Sequence, residues 1–139
     1  MKKSNFQLNS EICKAFNLEW YQVWITSRIL YGPTVEEVRK MLEATDPEDN
    51  PARRAVYDCD GFSASLLADQ KLWTSENNYN IPWSFFRVIG IRCRGVIMNH
   101  SWNMVSTQSG IYFCESMNYV DRLWKFESLK KDQIILAHT

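Results

Sequence analysis

The chain has few of the residues that build metal sites and disulfide frameworks. Its 139 residues include only two histidines, and its four cysteines are widely spaced, with no C-x-x-C pair. A zinc site normally takes four such ligands in closely spaced pairs, so no metal is expected. In a reducing compartment, this spacing favours free thiols over disulfides. No cofactor is predicted.

The sequence also has no net charge, because 16 basic and 16 acidic residues cancel. This balance removes the electrostatic argument for nucleic acid or an anionic membrane as the main partner. No apolar run approaches the ~18 residues of a transmembrane helix. Met1-Lys2-Lys3 starts like a secretory signal, but residues 4–10 are too polar for its apolar region. We therefore expect a cytoplasmic protein.

The first half of the chain reads as helical. Apolar residues at helical spacing predict a helix from about Ser10 to Leu30, with Trp20 and Trp24 packed in the core. Thr34 and Glu37 have the spacing of a capping box and predict a second helix over residues 35–44. A third helix is expected over residues 59–72, after a loop that contains two prolines.

From Trp83 onward the apolar spacing alternates, which predicts strands over residues 83–91, 96–105, 111–115 and 133–137. Residues 107–110 are predicted to form a hairpin turn. No repeat or linker divides the chain, so we expect a single domain over residues 1–139. Helices followed by strands indicate an α+β fold: an N-terminal helical part, residues 1–56, precedes a core, residues 57–139, in which a helix packs on an antiparallel sheet.

Cys59 is the candidate nucleophile, because it is predicted at the start of the third helix, directly after a loop. Unpaired N–H groups and the helix dipole favour the thiolate there, and the thiolate is the nucleophilic form. Asp58 and Asp60 flank the thiol and disfavour its ionisation, unless their side chains cap the helix or bind a cation. Taken alone, a lone cysteine is more often a buried hydrophobic residue.

The predicted hairpin supplies a base and a carboxylate to orient it. A four-residue turn that pairs Ser106 with Ile111 makes His100 and Glu115 diagonal neighbours on one face of the sheet. His100 would take the proton of the thiol and return it to the leaving group, while Glu115 would hold the imidazole ring. A register slip of one residue would separate the two side chains.

The order of these motifs resembles a known superfamily. Residues 57–124 are similar to papain-like cysteine proteases of the transglutaminase-like type, closest to the protease domain of a mushroom agglutinin and related short bacterial and phage proteins. The resemblance is carried by Asp58-Cys59-Asp60-x-Phe62, His100-x-Trp102-Asn103 and Gly110-x-Tyr112-x-x-Glu115. It implies a papain-like fold with Cys59 as nucleophile, His100 as base and Glu115 as the third catalytic residue. The expected substrate-binding residues are Trp102, Asn103 and Trp83.

The predicted function is a cysteine hydrolase, either a peptidase or an amidase, that acts on a protein or peptide substrate through a thioester acyl-enzyme. Gly61 stands where the family often has a second aspartate, which weakens the case for bound calcium. Two alternatives stay open. One is a non-catalytic interaction protein on a papain-like scaffold. The other is an NlpC/P60-type peptidoglycan endopeptidase, because residues 57–62 are also similar to the motif of that family. The sequence leaves the oligomeric state open.

Overall fold

The computed structural model describes residues 1–45, 59–93, 96–115, 122–127 and 133–139. The N-terminal elements are β1 (Lys2–Ser4), α1 (Asn5–Phe16), a 3-10 turn (Trp20–Gln22), β2 (Val23–Trp24), β3 (Ile29–Tyr31) and α2 (Val35–Ala44). They are followed by α3 (Cys59–Glu76), β4 (Phe85–Cys93), β5 (Val96–Thr107), β6 (Gly110–Cys114), β7 (Leu123–Lys125) and β8 (Gln133–His138).

Six strands form one mixed sheet in the order β2-β8-β4-β5-β6-β7. Its pairs are antiparallel except for β2 and β8, which run parallel with Val23 opposite Ala137. A separate antiparallel pair joins β1 to β3. A bridge between Tyr31 and Trp83 connects this small sheet to the segment that enters β4. The two ends of the chain therefore meet at one edge of the large sheet.

Each face of the large sheet carries its own apolar cluster, because successive side chains of a strand point to opposite faces. One cluster contains Trp102, Met104 and Phe113 and is covered by α1 through Ile12. The other contains Phe85 and Val105 and is covered by α2 and α3, which contribute residues such as Met41 and Leu66. The helices thus lie on both sides of the sheet.

The first helix is shorter and begins earlier than the sequence predicts. Ser4 and Gln7 form a capping box at its start, and Asn17, in the left-handed conformation with φ of 55°, ends it. The chain then turns into β2 and β3 instead of continuing as a helix. Trp20 and Trp24, expected in the core, are 73% and 63% exposed. The helix predicted over residues 10–30 is therefore confirmed as far as Phe16 and wrong from residue 17 onward.

The next two helices agree better with the sequence. The capping box of Thr34 and Glu37 is present at the start of α2, which covers residues 35–44 as predicted. The third helix begins at Cys59 as predicted and extends four residues beyond the expected end, to Glu76. Asn78, in the left-handed conformation, follows it in the turn before β4.

The predicted papain-like architecture, with N-terminal helices and a helix packed on a purely antiparallel sheet, is contradicted. The described residues are organised around a mixed sheet of six strands, with three α-helices, and residues 1–31 contribute three of the eight described strands, of which β2 belongs to this sheet. Local sequence patterns did not predict this architecture because β2 pairs with β8, which lies far away in the chain. Such a distant pairing produces no periodic pattern within either segment. No helix within the described ranges is long and apolar enough to cross a membrane.

Candidate functional site

The hairpin of β5 and β6 brings His100 and Glu115 together. Ser106 pairs with Ile111, which confirms the predicted register, and the pairing continues to Asn103 opposite Cys114. The imidazole Nε2 of His100 lies 3.0 Å from Oε2 of Glu115, a hydrogen bond between two buried side chains. The contact follows directly from the hairpin register.

This pair is closed off from solvent. His100 is 7% exposed and Glu115 is 1% exposed. The imidazole stacks on the indole of Trp102, with ring centres 5.6 Å apart and planes inclined by 17°. The backbone of Glu115 is held by Arg122, which accepts from its N–H at 2.8 Å and donates through Nε to its carbonyl at 3.1 Å. Oε1 of Glu115 has no hydrogen-bond partner among the described residues.

Cys59 is a partly buried free thiol at the first residue of α3. Helix α3 docks on β5 through Ser63, whose hydroxyl lies 2.6 Å from that of Ser101 and whose carbonyl accepts from Nδ2 of Asn103 at 3.0 Å. Strand alternation puts those two β5 residues on the face opposite His100. A contact between Cys59 and His100 stays a prediction. Asp58 and the side chain of Asp60 lie outside the described parts of the chain.

The three expected substrate-binding residues have different surroundings. Trp102 and Asn103 are fully buried, one in the core beneath α1 and the other against α3. Trp83 is also buried, but it lines a cavity on the α3 side of the molecule. Burial supports a packing role for Trp102 and Asn103, since a ligand would reach neither without rearrangement of the core.

The cavity has a volume of about 410 Å³ and is built from five segments of the chain. One wall is the last turns of α3, and another is the segment of residues 79–83 that leads into β4. Thr26 and Ser27, between β2 and β3, close a third side together with Leu30 and Thr139. Thr139 is fixed there, because its Oγ1 accepts from the backbone N–H of Thr26 at 3.1 Å. Of the residues singled out in the sequence, only Trp83 belongs to this site.

The polar side chains of the lining are mostly uncharged. Lys71, which is exposed, is the one charged side chain among the described residues that line the cavity. The accessible groups suited to hydrogen-bond a ligand are the hydroxyls of Thr26, Ser27 and Ser75 and the amide of Asn80. Gln70 and Thr74 are buried, and the amide of Gln70 donates to the hydroxyl of Thr74. No group of three or more His, Cys, Asp or Glu side chains in the described ranges is arranged to hold a metal ion.

Aromatic rings form the remaining wall of the cavity. The rings of Tyr79 and Trp83 meet edge to face, with centres 5.2 Å apart and planes at 89°. The indole N–H of Trp83 is buried and has no acceptor within the described residues. A buried donor without a protein acceptor usually has a water or ligand oxygen as its partner. The wall therefore combines apolar ring surface with one unused donor.

Comparison with known proteins gives structural neighbours only. No protein-family model matches the chain, and no curated protein matches it. PSL1a, solved as a complex with E64, shares the fold with a TM-score of 0.77 and 12% identity, over 99% of this chain and 51% of that chain. Polyporus squamosus lectin, bound to the human-type influenza-binding epitope Neu5Aca2-6Galb1-4GlcNAc, gives a TM-score of 0.69 and 14% identity over 99% and 49%.

The chain therefore spans about half the length of the solved chains that it resembles, and at this identity the likeness shows a shared fold alone. It nevertheless overturns the predicted identity. The neighbour is named as a lectin, and no family model or curated protein supports a papain-like or transglutaminase-like protease. The ligand named in the lectin structure is a glycan, where a peptide substrate was expected for this chain.

The predicted cysteine peptidase or amidase, with its thioester intermediate and catalytic triad, is thus contradicted, and the two alternatives built on related scaffolds lose their basis. The prediction went too far because the hairpin register specifies only which side chains touch. A reaction also needs an accessible nucleophile and a substrate site. The individual roles given to Cys59, His100 and Glu115 stay predictions that none of these observations tests.

Proposed function

We propose that the protein binds a glycan in the cavity beside the C-terminal half of α3. The observation that carries this proposal is the lining, in which hydroxyls and amides surround two aromatic rings with a single charged side chain. Sugars present hydroxyl groups that bond to such donors and acceptors, and C–H faces that pack on a half-buried ring such as that of Tyr79, which Trp83 supports by an edge-to-face contact. The volume of about 410 Å³ falls within the range of about 300–1,000 Å³ common for ligand sites.

Lys71 favours an acidic sugar over a neutral one. No acidic side chain is found among the described residues of the lining, so Lys71 is the one side chain there that could pair with a ligand carboxylate. The lectin that shares the fold was solved with a glycan that contains Neu5Ac, a carboxylated sugar. An exposed ion pair contributes only about 0.2–1 kcal/mol, so we expect a preference for acidic sugars and not an absolute requirement.

The test is titration of the protein with the sialylated trisaccharide and its asialo counterpart, followed by calorimetry and by NMR shifts of cavity residues. We expect the sialylated glycan to bind more tightly. Asn80→Ala removes an exposed amide of the lining and should weaken binding about 3- to 10-fold. Asn99→Ala, an exposed amide outside the cavity, is the matched control and should leave binding unchanged.

Lys71→Gln should remove up to about fivefold of the preference for the sialylated glycan while leaving the neutral glycan unaffected. Lys40→Gln, an exposed lysine on α2, controls for the loss of one positive charge. Failure of every glycan in a broad panel to bind, or NMR shifts confined to residues away from the cavity, would overturn the proposal.

A further inference from the structure

The structure assigns Glu37, which lies outside the cavity on α2, the role of a positioning residue that holds Tyr79 in the cavity wall. Tyr79 donates its phenolic hydrogen to Oε1 of Glu37 at 2.7 Å. The two residues are 42 positions apart, so this bond ties the wall to a separate helix. The importance of this role for binding rests on the proposed glycan site, whereas its effect on the wall can be measured without a ligand.

Three donors converge on the one carboxylate. Besides Tyr79, the hydroxyl of Tyr31 lies 3.2 Å from each oxygen of Glu37, and the backbone N–H of Thr34 donates to Oε2 at 2.7 Å. A capping box alone needs a single acceptor, which a glutamine also provides. A glutamine oxygen cannot serve all three donors, since the amide nitrogen is itself a donor. The arrangement therefore uses both carboxylate oxygens.

The position of the Tyr79 side chain depends on this bond, which is its one side-chain hydrogen bond among the described residues. After α3 ends at Glu76, the chain passes through Asn78 in the left-handed conformation, with φ of 64°. The backbone N–H of Tyr79 then donates to the carbonyl of Thr74 at 3.0 Å. The remaining contacts of Tyr79 are between rings, with Trp83 at 5.2 Å, Tyr31 at 5.7 Å and Trp73 at 6.0 Å. Ring contacts alone leave the phenol free to rotate or swing outward.

Fixing the ring before a ligand arrives lowers the cost of binding, because an ordered side chain loses less entropy in the complex. The bond to Glu37 is also charge-assisted, and such bonds are stronger than those between neutral groups. Burial first, and then the hydrogen bond to Glu37, raise the pKa of Tyr79. The phenol therefore remains a donor to the carboxylate over the whole neutral range.

The first arm of the test measures the wall directly, by hydrogen exchange of the Trp83 indole N–H in the free protein, with the resonance assigned from Trp83→Phe. Glu37→Gln and Tyr79→Phe should each accelerate this exchange by about tenfold or more. The indole of Trp102, fully buried in the core beneath α1, serves as an internal reference that should not change. Glu36→Gln, in the same turn of α2 but exposed, removes the same charge without touching the wall.

The second arm measures glycan affinity. Glu37→Gln and Tyr79→Phe should each weaken binding about 3- to 10-fold, and the double variant should be no weaker than the single ones, because both changes break one bond. Unchanged exchange at Trp83, equal acceleration at Trp102, or additive losses of affinity would overturn the positioning role. If no glycan binds the unaltered protein, the proposed function fails, and the exchange arm still decides whether Glu37 holds the wall.

Discussion

Polar side chains occupy two regions of this molecule, and their surroundings give them different roles. His100 and Glu115 are buried and bond to each other, while Ser63 and Ser101 do the same on the opposite face of the sheet. In the cavity, Lys71 and the amide of Asn80 are exposed to solvent. A polar group that finds its partner inside the protein specifies how elements dock, whereas one that is left exposed in a concave site is available to a ligand.

The comparison also explains why a chemically plausible constellation can be structural. A buried carboxylate needs a hydrogen-bond partner to offset its desolvation, and His100 provides one for Glu115. The same pair can therefore stabilise the hairpin without taking part in a reaction. Accessibility, rather than the identity of the side chains, separates the two regions.

The largest effect should follow from breaking the buried pair. Glu115→Ala removes the partner of His100 and opens a gap beside its buried imidazole, so we expect a loss of about 3–5 kcal/mol in the free energy of unfolding. Lys71→Ala in the cavity should change stability by less than about 0.5 kcal/mol. Urea denaturation of both variants measures the difference. A loss below about 1 kcal/mol for Glu115→Ala would show that the buried pair does not support the fold.

A smaller effect should come from the contact that docks α3 on β5. Ser63→Ala leaves the buried hydroxyl of Ser101 without its 2.6 Å partner and removes the acceptor of Nε of Arg87 at 3.2 Å, so a loss of about 1–3 kcal/mol is expected. Ser75→Ala, on the exposed cavity side of the same helix, is the control and should be neutral. A double variant, Ser63→Ala with Ser101→Ala, should lose less than the sum of the single changes, since both remove one bond.

Local patterns predicted several parts of this structure well. The capping box of Thr34 and Glu37 fixed the start of α2, and the four-residue turn fixed the hairpin register and hence the contact of His100 with Glu115. Both depend on residues close together in the chain. The sequence thus predicts which side chains touch when one turn determines the answer.

Features that depend on distant segments were missed. The parallel pairing of β2 with β8 joins segments that are far apart in the chain. Because a helix was predicted as far as residue 30, neither β2 nor β3 was predicted. The cavity was not predicted either, because residues as far apart as Thr26, Gln70 and Thr139 line it. None of these residues belongs to a motif. Only Trp83 was singled out in advance, and the signal was its aromatic ring.

The smallest expected effect is the loss of stability in acid that Glu37 causes. Its carboxylate is half-buried, whereas that of Glu115 is fully buried. Burial raises the pKa of Glu37, but hydrogen bonds from Thr34, Tyr79 and Tyr31 together lower it below its ordinary value of 4.5. Because the folded pKa is the lower one, its contribution to stability is complete above about pH 4.5 and is lost as the pH falls through the folded pKa.

The free energy of unfolding, measured by urea denaturation, should therefore fall less between about pH 6 and pH 3 for Glu37→Gln than for the unaltered protein. The difference should be about 1 kcal/mol or less, because the site is partly exposed. Glu36→Gln, exposed in the same turn, should follow the unaltered protein. Parallel curves for all three proteins would show that Glu37 is bonded no better in the folded state than in the unfolded chain. That result would also remove the basis for its hold on Tyr79, because the same hydrogen bonds lower the pKa and fix the ring.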